Sequence, residues 1–343
     1  MTTLMHTMEM PRKVALGSRI LKEVPSIVGE LGYRHPMVLC DEITYDIAGK
    51  TVSESLGCPH LCIDGATSEE VERVRNELAP ETDVVIGAGG GTVIDVAKLA
   101  SRYRSLPFIS IPTAASHDGI ASSRASIKAR DQKTSIKALP PVAIIADTSV
   151  IVNAPYRFLA AGCADLISNY TAVKDWELAH RLRGEYFSEY AAQLSLLSAK
   201  LMIKNASVIR EGSERSVRKV LKGLISSGIA MSIAGSSRPA SGSEHLFSHA
   251  LDVIAPRPAM HGEQCGIGST MMMYLHGGSW RSIRTALKTV NAPTTSHDLQ
   301  ISDEHIIEAL MTAHKIRDRY TILGDKGLTR EAAESLARTT GVI

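Results

Sequence analysis

The first half of the 343-residue chain alternates short apolar runs with longer segments in which apolar residues recur every three or four positions. Each short run predicts a buried strand, and the five runs are Met37–Cys40, Leu61–Ile63, Val84–Ile86, Phe108–Ile111 and Ala143–Ile145. Between them, Ser68–Leu78 and Thr92–Tyr103 have the periodicity of amphipathic helices, and Ser68 is the predicted N-cap of the first. Strands that alternate with helices predict a parallel sheet covered on both faces.

From Pro155 onward the pattern changes to long helical periodicities with almost no strand-like runs. The predicted helices are Tyr156–Arg181, Glu189–Arg210, Ser213–Gly235, Glu244–Val253, Gln264–Leu275 and Asp303–Tyr320. Thr329 is the predicted N-cap of a last helix, with Glu331 in its first turn, where the helix dipole favours a negative charge. We therefore predict an α/β domain of residues 1–153 and an all-α domain of residues 154–343, with a ligand site in the cleft between them.

Composition narrows the class of protein. Hydrophobic residues make up 44% of the chain and charged residues 22%, as in ordinary soluble globular proteins. A net charge of +2 and an aromatic content of 4% argue against a nucleic-acid partner. No segment has the apolar length of a signal peptide or a membrane span, and the five cysteines, odd in number and without C-x-x-C spacing, are typical of reduced thiols. These features predict a cytoplasmic protein.

A glycine-rich segment, GAGGGTVIDVAKLAS, begins at Gly87 directly after the third predicted strand and leads into a helix. Glycines allow backbone amides to approach a phosphate, and the start of the helix adds unpaired N–H groups. A tight strand–helix turn without a ligand is the alternative, but four glycines in five positions exceed what a turn needs. The segment is neither a Rossmann fingerprint, because Thr92 occupies the place of the third glycine, nor a P-loop, because no Gly-Lys-Ser/Thr closes it.

A second loop, SIPTAASHDGIASSRASI, begins at Ser110 and follows the next strand, at the expected carboxyl end of the sheet. Its small residues and its hydroxyls can lie close to a flat cofactor and its ribose, and Asp118 adds a carboxylate. For any one of these residues, a polar surface loop is an equally good interpretation. The position of the loop beside the glycine-rich segment favours the cofactor interpretation.

Three histidines lie in the segment Ser241–Glu263. His245 and His249 are four residues apart, so they share one face of a helix. Pro256 and Pro258 end that helix, and the chain can then turn back to bring His261 to the same point. Nearby imidazoles from two elements predict a metal site, although a single histidine is more often an ordinary core or surface residue.

A carboxylate in the helix Tyr156–Arg181 is the predicted partner of these histidines. Asp165 lies amid small apolar residues, where an unpaired buried carboxylate would be costly. A salt bridge or the helix dipole would explain it without a ligand. As a ligand, Asp165 would complete a two-histidine site and leave a coordination position for water or a substrate oxygen.

Together these four motifs resemble the dehydroquinate synthase/glycerol dehydrogenase superfamily and, within it, the archaeal-type sn-glycerol-1-phosphate dehydrogenases. The likeness extends from about Leu31 to the C-terminal TILGDKGLTREAAESLARTTGVI. It implies a two-domain, dehydroquinate synthase-like fold, with an N-terminal Rossmann-like α/β domain and an all-α C-terminal domain. It also implies a set of site residues: Asp165, His245 and His261 as ligands of a catalytic Zn²⁺, His249 as a substrate contact, and Asp118 as the residue that holds a substrate hydroxyl.

The resemblance further implies a cofactor, either NAD(H) or NADP(H). The residues that would seat its pyrophosphate are Gly89, Gly90, Gly91, Thr92, Val93, Ile94 and Asp95. The residues that would line the nicotinamide side are Thr113, Ala114, Ala115, Ser116 and Ser122. Asp41 follows the first predicted strand and could meet the adenosine ribose, where it would favour NAD(H) by repelling a 2′-phosphate.

The implied activity is the zinc-dependent, reversible reduction of dihydroxyacetone phosphate to sn-glycerol 1-phosphate, the backbone of archaeal membrane lipids. The substrate is thus a small phosphorylated molecule, and its phosphate needs a cationic site. We expect this site at Ser236, Ser237 and Arg238, with a basic side chain from Arg124–Lys137 as the alternative. The apolar helices and the sheet edge predict a homo-oligomer of undetermined size.

Two departures argue against other members of the superfamily. Dehydroquinate synthases have a Glu as the first metal ligand and a Lys three residues later, where this chain has Asp165 and Ser168. Iron-dependent alcohol dehydrogenases have a His where this chain has Asn169, which argues against a four-ligand iron site. The main alternative is a glycerol dehydrogenase that acts on unphosphorylated glycerol or dihydroxyacetone. A further alternative is a non-catalytic nucleotide-binding protein with a structural metal.

Overall fold

A computed structural model of the chain describes residues 7–129 and 132–343, which divide into two compact units. The sheet unit contains Glu9–Phe158 and Gly212–Gly228, and the helical unit contains Leu159–Glu211 and Ile229–Ile343. Gly228, at the end of the segment 212–228, lies close to Ala121, because an added Cβ would be 2.6 Å from Ala121 Cβ. The predicted bounds at residues 153 and 154 treat each domain as continuous, and they remain a prediction.

Eight strands are described, all in the sheet unit. They are β1 (Lys13–Gly17), β2 (Pro36–Cys40), β3 (His60–Cys62), β4 (Val84–Gly89), β5 (Phe108–Pro112), β6 (Arg124–Ala129), β7 (Gln132–Lys137) and β8 (Ala143–Asp147). Six of them form one parallel sheet in the order β1-β8-β5-β4-β2-β3, while β6 and β7 form an antiparallel hairpin. The five predicted strands are confirmed.

Strand β1 and the hairpin were not predicted. β1 lies at the edge of the sheet and its residues are mostly half-buried. Its apolar run is only Val14–Leu16, and it was overlooked. Strands β2, β4, β5 and β8 are buried throughout, which is why their sequences are apolar on both faces. Because β1 precedes the others, the glycine-rich segment follows the fourth strand and not the third.

The α-helices of the described residues are α1 (Val24–Glu30), α2 (Glu42–Thr44), α3 (Lys50–Leu56), α4 (Ser68–Glu77), α5 (Gly91–Tyr103), α6 (Thr148–Ile151), α7 (Tyr156–Arg183), α8 (Glu189–Lys204), α9 (Ala206–Arg210), α10 (Glu214–Ala234), α11 (Ser243–Ile254), α12 (His261–Leu275), α13 (Trp280–Thr289), α14 (Ser296–Leu299), α15 (Asp303–Thr312) and α16 (Arg330–Thr340). No helix among the described residues has the length and hydrophobicity needed to cross a membrane.

Several helices begin or end at residues other than those predicted. The N-cap of α4 is Thr67 and not Ser68, because the Thr67 hydroxyl accepts the N–H of Glu70 at 3.1 Å. The predicted helix Glu189–Arg210 is divided at Asn205 into α8 and α9. The one that begins at Asp303 ends at Thr312 and continues only as a short 3₁₀ turn. The cap of α16 by Thr329 is confirmed, since its hydroxyl accepts the N–H of Ala332.

The strand order of the sheet reverses between β2 and β4. From β2 the chain moves to β3 on one side, whereas β4, β5 and β8 follow on the other side. In open parallel sheets, ligands bind outside the carboxyl ends of the strands at such a reversal. The two segments that follow β2 and β4 begin at Asp41 and at Gly90, so the glycine-rich segment lies where this rule places a ligand.

Each unit has its own apolar core. In the sheet unit, strand residues such as Ile86 and Ile109 pack against Val24 and Ile27 near the start of the chain. In the helical unit, α11, α12, α15 and α16 contribute a core that includes Phe247, Met271, Ile306, Leu310 and Leu336. Helix α7 has buried residues on all sides along most of its length, as expected for a helix surrounded by others.

Candidate active site

The three histidines predicted to share a site, His245, His249 and His261, lie together in the helical unit, and we call them the histidine cluster. Helix α11 ends at Ile254, just before Pro256, and α12 begins at His261. The ring centroids of His245 and His261 are 4.8 Å apart, and those of His249 and His261 are 5.6 Å apart. The chain therefore turns back as the two prolines predict.

Asp165 completes this group from α7. One of its oxygens, Oδ1, lies 3.8 Å from Nε2 of both His245 and His261. Asp165 is buried, and it lies more than two turns inside α7, so the N-terminal helix dipole does not account for it. Gly262 permits this approach of α12 to α7, because an added Cβ would lie 2.1 Å from the carbonyl oxygen of Ala161.

A fourth donor, Cys265, was missed in the sequence. The ligand atoms of Asp165, His245, His261 and Cys265 all lie within 4.8 Å of one another. Cys265 Sγ is 3.6 Å from His261 Nε2, close to the roughly 3.6 Å that separates sulfur and nitrogen ligands of a tetrahedral zinc ion. The spacing of four residues from His261 on α12 puts both side chains on one face, and this signal could have identified Cys265.

The ring nitrogens of the two predicted ligand histidines are fixed by other side chains. His245 Nδ1 lies 2.9 Å from Glu244 Oε1, and His261 Nδ1 lies 3.1 Å from Ser248 Oγ. Each contact leaves Nε2 directed at Asp165. Carboxylates that orient the far nitrogen of a metal-binding histidine are typical of metal sites. Glu244 is fully buried and also accepts a hydrogen bond from the Thr171 hydroxyl.

The electrostatics of the site also fit a cation. Burial lowers the pKa of His245, but Cys265 and Glu244 outweigh burial and hold that pKa well above its usual value. Burial raises the pKa of Cys265 to about 11, and the neighbouring His245 opposes that rise. Oxygen, nitrogen and sulfur donors at these separations fit a divalent ion of the zinc type.

We expect Glu244→Gln to weaken Zn²⁺ binding by roughly 10- to 100-fold, because the amide can no longer act as a charged acceptor for His245. Competition with a chelator of known affinity measures this change directly. The control is Glu189→Gln, which changes an exposed glutamate in the same unit. Equal Zn²⁺ affinity in Glu244→Gln and the wild type would show that Glu244 does not tune the site.

The start of α11 is anchored by a second buried carboxylate, Asp175. Its Oδ2 accepts the N–H and the hydroxyl of Ser243 at 2.6 and 2.5 Å. Its Oδ1 accepts the N–H of Ile322 at 2.7 Å and lies 3.0 Å from His276 Nε2. Since Ser243 is the first residue of α11, these bonds fix the helix that carries His245.

The glycine-rich segment is explained partly by packing. An added Cβ at Gly89 would lie 2.5 Å from a Val93 methyl carbon, and one at Gly91 would lie 2.2 Å from His117 Nε2. The number of glycines therefore does not by itself indicate phosphate binding. Gly90, the N-cap residue of α5, is different, because no described atom lies within 4 Å of a Cβ added there. The open backbone at Gly90 is what supports the predicted cofactor site.

The remaining predicted pyrophosphate residues lie in the first turns of α5. Thr92 is exposed, whereas Val93 and Ile94 are buried. The carboxylate of Asp95 is buried and accepts the N–H of Ser126 in the hairpin at 2.9 Å. Asp95 therefore holds the hairpin against α5, a role that the sequence did not indicate.

The second predicted cofactor loop is tied to the glycine-rich segment. The N–H of Thr113 donates to Gly89 O at 3.0 Å, and the Ser227 hydroxyl donates to Asp118 Oδ2 at 2.9 Å. Ser122 is buried, and its hydroxyl accepts the N–H of Arg124. The other predicted residues of this loop are Ala115, which is buried, and Ala114 and Ser116, which are half-buried.

The predicted phosphate site at Ser236, Ser237 and Arg238 remains a prediction, and its arginine is paired within the protein. Arg238 is buried, and its guanidinium donates to the Glu185 carboxylate and to Tyr320 O. Because Glu185 already balances its charge, Arg238 is a weaker candidate for binding a substrate phosphate than its sequence position suggests. The alternative segment Arg124–Lys137 forms the hairpin, and its residues 130–131 lie outside the described residues.

Asp41 has a local role that the sequence left open. Its Oδ1 accepts the N–H of Thr44 at 2.7 Å, and the Thr44 hydroxyl accepts the N–H of Asp41 at 3.0 Å. These reciprocal bonds cap α2.

Comparison with known proteins agrees with this description. Residues 15–155 match the family described as iron-containing alcohol dehydrogenase. The solved structure of glycerol dehydrogenase from Schizosaccharomyces pombe superposes with a TM-score of 0.83 at 23% identity, over 98% of this chain and 90% of that one. The predicted fold class, a Rossmann-like α/β part with an all-α part, is confirmed.

Two curated relatives are much more similar in sequence. Glycerol-1-phosphate dehydrogenase [NAD(P)+] of Thermococcus sibiricus is 58% identical over 100% of this chain and 100% of its own length. The enzyme of the same name from Thermococcus kodakarensis is 57% identical over 98% of this chain and 99% of its own length. The chain belongs to the glycerol-1-phosphate dehydrogenase [NAD(P)+] family.

Proposed function

We propose that this chain catalyses the reversible NAD(P)H-dependent reduction of dihydroxyacetone phosphate to sn-glycerol 1-phosphate, with Zn²⁺ as its catalytic metal. The observation that carries the proposal is that donor atoms of Asp165, His245 and His261 lie within 4.8 Å of one another, with Cys265 beside them. Three ligands from the first three residues leave a coordination position for the substrate. The names of the full-length relatives give the substrate class and the cofactor.

Within this proposal, Asp165, His245 and His261 hold the metal, and Glu244 and Ser248 fix the two imidazoles. The side chain of His261 is 23% exposed while that of Asp165 is 4% exposed, so a substrate oxygen reaches the site from the His261 side. When bound, the metal polarises the substrate carbonyl and the reduced nicotinamide supplies the hydride. In the sheet unit, Asp118, held by Ser227, is the proposed partner of a substrate hydroxyl.

His249 is the proposed substrate contact of the histidine cluster. Burial lowers the pKa of His249, and its Nε2 lies 3.2 Å from Arg317 Nη2. A guanidinium can only donate, so this nitrogen carries no proton while the contact lasts. His249 can therefore bind a substrate hydroxyl through Nε2 only once Arg317 has moved to another acceptor.

We further propose that the enzyme is a cytoplasmic homo-oligomer whose product serves lipid synthesis. Support for self-association comes from α8, where Tyr190, Leu197 and Leu201 are exposed at helical spacing. Sedimentation velocity at two protein concentrations measures the assembly. A species with the mass of one chain at both concentrations would contradict it.

The proposed reaction is tested by its product. We expect oxidation of NADPH or NADH with dihydroxyacetone phosphate, and an enantiomer-specific assay that identifies sn-glycerol 1-phosphate. The ratio of kcat/KM for the two nucleotides reports cofactor preference. If the enzyme turned over dihydroxyacetone but not dihydroxyacetone phosphate, this result would instead favour the glycerol dehydrogenase alternative.

A further inference from the structure

Arg317 places a cation directly against the histidine cluster. Its Nη2 lies 3.2 Å from His249 Nε2, and the His249 ring is stacked on that of His261 with an angle of 29° between planes. Arg317 lies in the bend that follows the 3₁₀ turn Ala313–Lys315, and it is half-buried. One imidazole therefore separates this guanidinium from a proposed metal ligand.

The contact between Arg317 and His249 is one that a phosphate can replace. The guanidinium donates to an imidazole nitrogen in this contact, whereas phosphate oxygens are charged acceptors that match its planar fork in two parallel hydrogen bonds. Behind His249, the buried carboxylate of Asp252 has Oδ2 3.7 Å from Nδ1, and its Oδ1 accepts a hydrogen bond from Gln264. His249 thus has an acidic side and a cationic side, and an anion is attracted only to the second.

Three other arginines of the helical unit make contacts away from the histidine cluster. Arg238 is paired with Glu185, and Arg183 is paired with Asp325. Arg319 donates to Ser241 O and to the Ser237 hydroxyl, which fixes the chain just before α11. None of these contacts involves the histidine cluster, so these arginines are weaker candidates for a substrate phosphate than Arg317.

We propose that Arg317 binds the phosphate of the three-carbon substrate and so selects the phosphorylated ketone over dihydroxyacetone. The inference rests on the proposed function. In dihydroxyacetone phosphate, only a methylene and an ester oxygen separate the carbonyl carbon from phosphorus, so the phosphate site must adjoin the metal donors. Arg317 meets this condition through His249. When phosphate takes over the Arg317 N–H groups, His249 Nε2 becomes available to a substrate hydroxyl.

The test uses the full-length zinc enzyme with Arg317→Met, Arg317→Lys and the control Arg183→Met. Three quantities are measured for each: KM for dihydroxyacetone phosphate, kcat/KM for dihydroxyacetone at high concentration, and the inhibition constant of inorganic phosphate. Because hydrogen bonds to a charged group are lost, Arg317→Met should raise both KM for dihydroxyacetone phosphate and the inhibition constant of inorganic phosphate by roughly 10- to 100-fold. Turnover of dihydroxyacetone should not fall in Arg317→Met, because His249 Nε2 is then open to a substrate hydroxyl without any phosphate. Bound zinc should match the wild type, and Arg317→Lys should have intermediate values of KM and of the inhibition constant.

Each outcome separates the inference from the proposed function. If Arg317→Met leaves the phosphate inhibition constant unchanged, or lowers kcat/KM equally for both ketones, Arg317 does not bind phosphate. If the wild type reduces dihydroxyacetone but not its phosphate, the proposed function fails, while inhibition by inorganic phosphate still tests Arg317. The control Arg183→Met, in the same unit, should match the wild type in all three quantities.

Discussion

Asp165→Asn is expected to abolish stoichiometric Zn²⁺ binding and to lower kcat/KM for dihydroxyacetone phosphate by at least about 10³-fold. Asparagine keeps the shape of the side chain but removes the charge and the ligand that join α7 to the histidines, since Asp165 Oδ1 is 3.8 Å from Nε2 of both His245 and His261. Bound metal is measured on the desalted protein, and activity by NADPH oxidation.

Folding must be separated from metal loss in this experiment. Thermal unfolding of the metal-free variant is compared with that of the metal-free wild type, because removing the charge of Asp165 from its buried contacts with His245 and His261 itself lowers stability. Asp325→Asn, which changes an exposed carboxylate of the same unit, is the control and should keep full activity. An Asp165→Asn protein that retains one Zn²⁺ per chain would show that the metal is held elsewhere.

Gly262→Ala is expected to destabilise the protein by about 1–3 kcal/mol and to weaken Zn²⁺ binding. The new Cβ would lie 2.1 Å from Ala161 O and 2.7 Å from its carbonyl carbon, and backbone atoms cannot turn aside as a flexible side chain can. The start of α12 must then move away from α7, and His261 moves with it. Thermal unfolding of the metal-free protein and a Zn²⁺ titration measure the two effects.

The control for this substitution is Gly29→Ala in α1, where no described atom lies within 4 Å of the added Cβ. It should be neutral or slightly stabilising, because alanine favours a helix more than glycine does. Wild-type stability and Zn²⁺ affinity in Gly262→Ala would contradict the close packing of α12 on α7.

The features predictable from sequence were those with local causes. Continuous apolar runs identified the central strands because both of their faces are buried. Helical spacing and the break at Pro256 brought together His245, His249 and His261. The burial of Asp165 among small residues pointed to its role as their partner. In each case, neighbouring positions in the chain contain the physical reason.

Other features depend on contacts distant in the chain. Arg238 has the sequence context of a phosphate ligand, but its pairing with Glu185, 53 residues away, cannot be inferred from either residue alone. Arg317 reaches His249 across 68 residues. The edge strand β1 has only the short apolar run Val14–Leu16, and strand β6 of the hairpin alternates polar and apolar residues, so neither has the longer run of a central strand. Glu244 was missed because its role depends on its hydrogen bond to His245. Cys265 was missed although its spacing of four residues from His261 indicates it.

The central claim is that the group around Asp165, His245 and His261 holds the metal on which reduction of dihydroxyacetone phosphate depends. The most direct test titrates chelator-treated protein with Zn²⁺ and follows bound metal and NADPH oxidation in the same samples. We predict that both rise together and saturate at one Zn²⁺ per chain, and that His261→Ala shows neither. Full activity of the metal-free protein, or zinc-restored activity in His261→Ala, would contradict the claim.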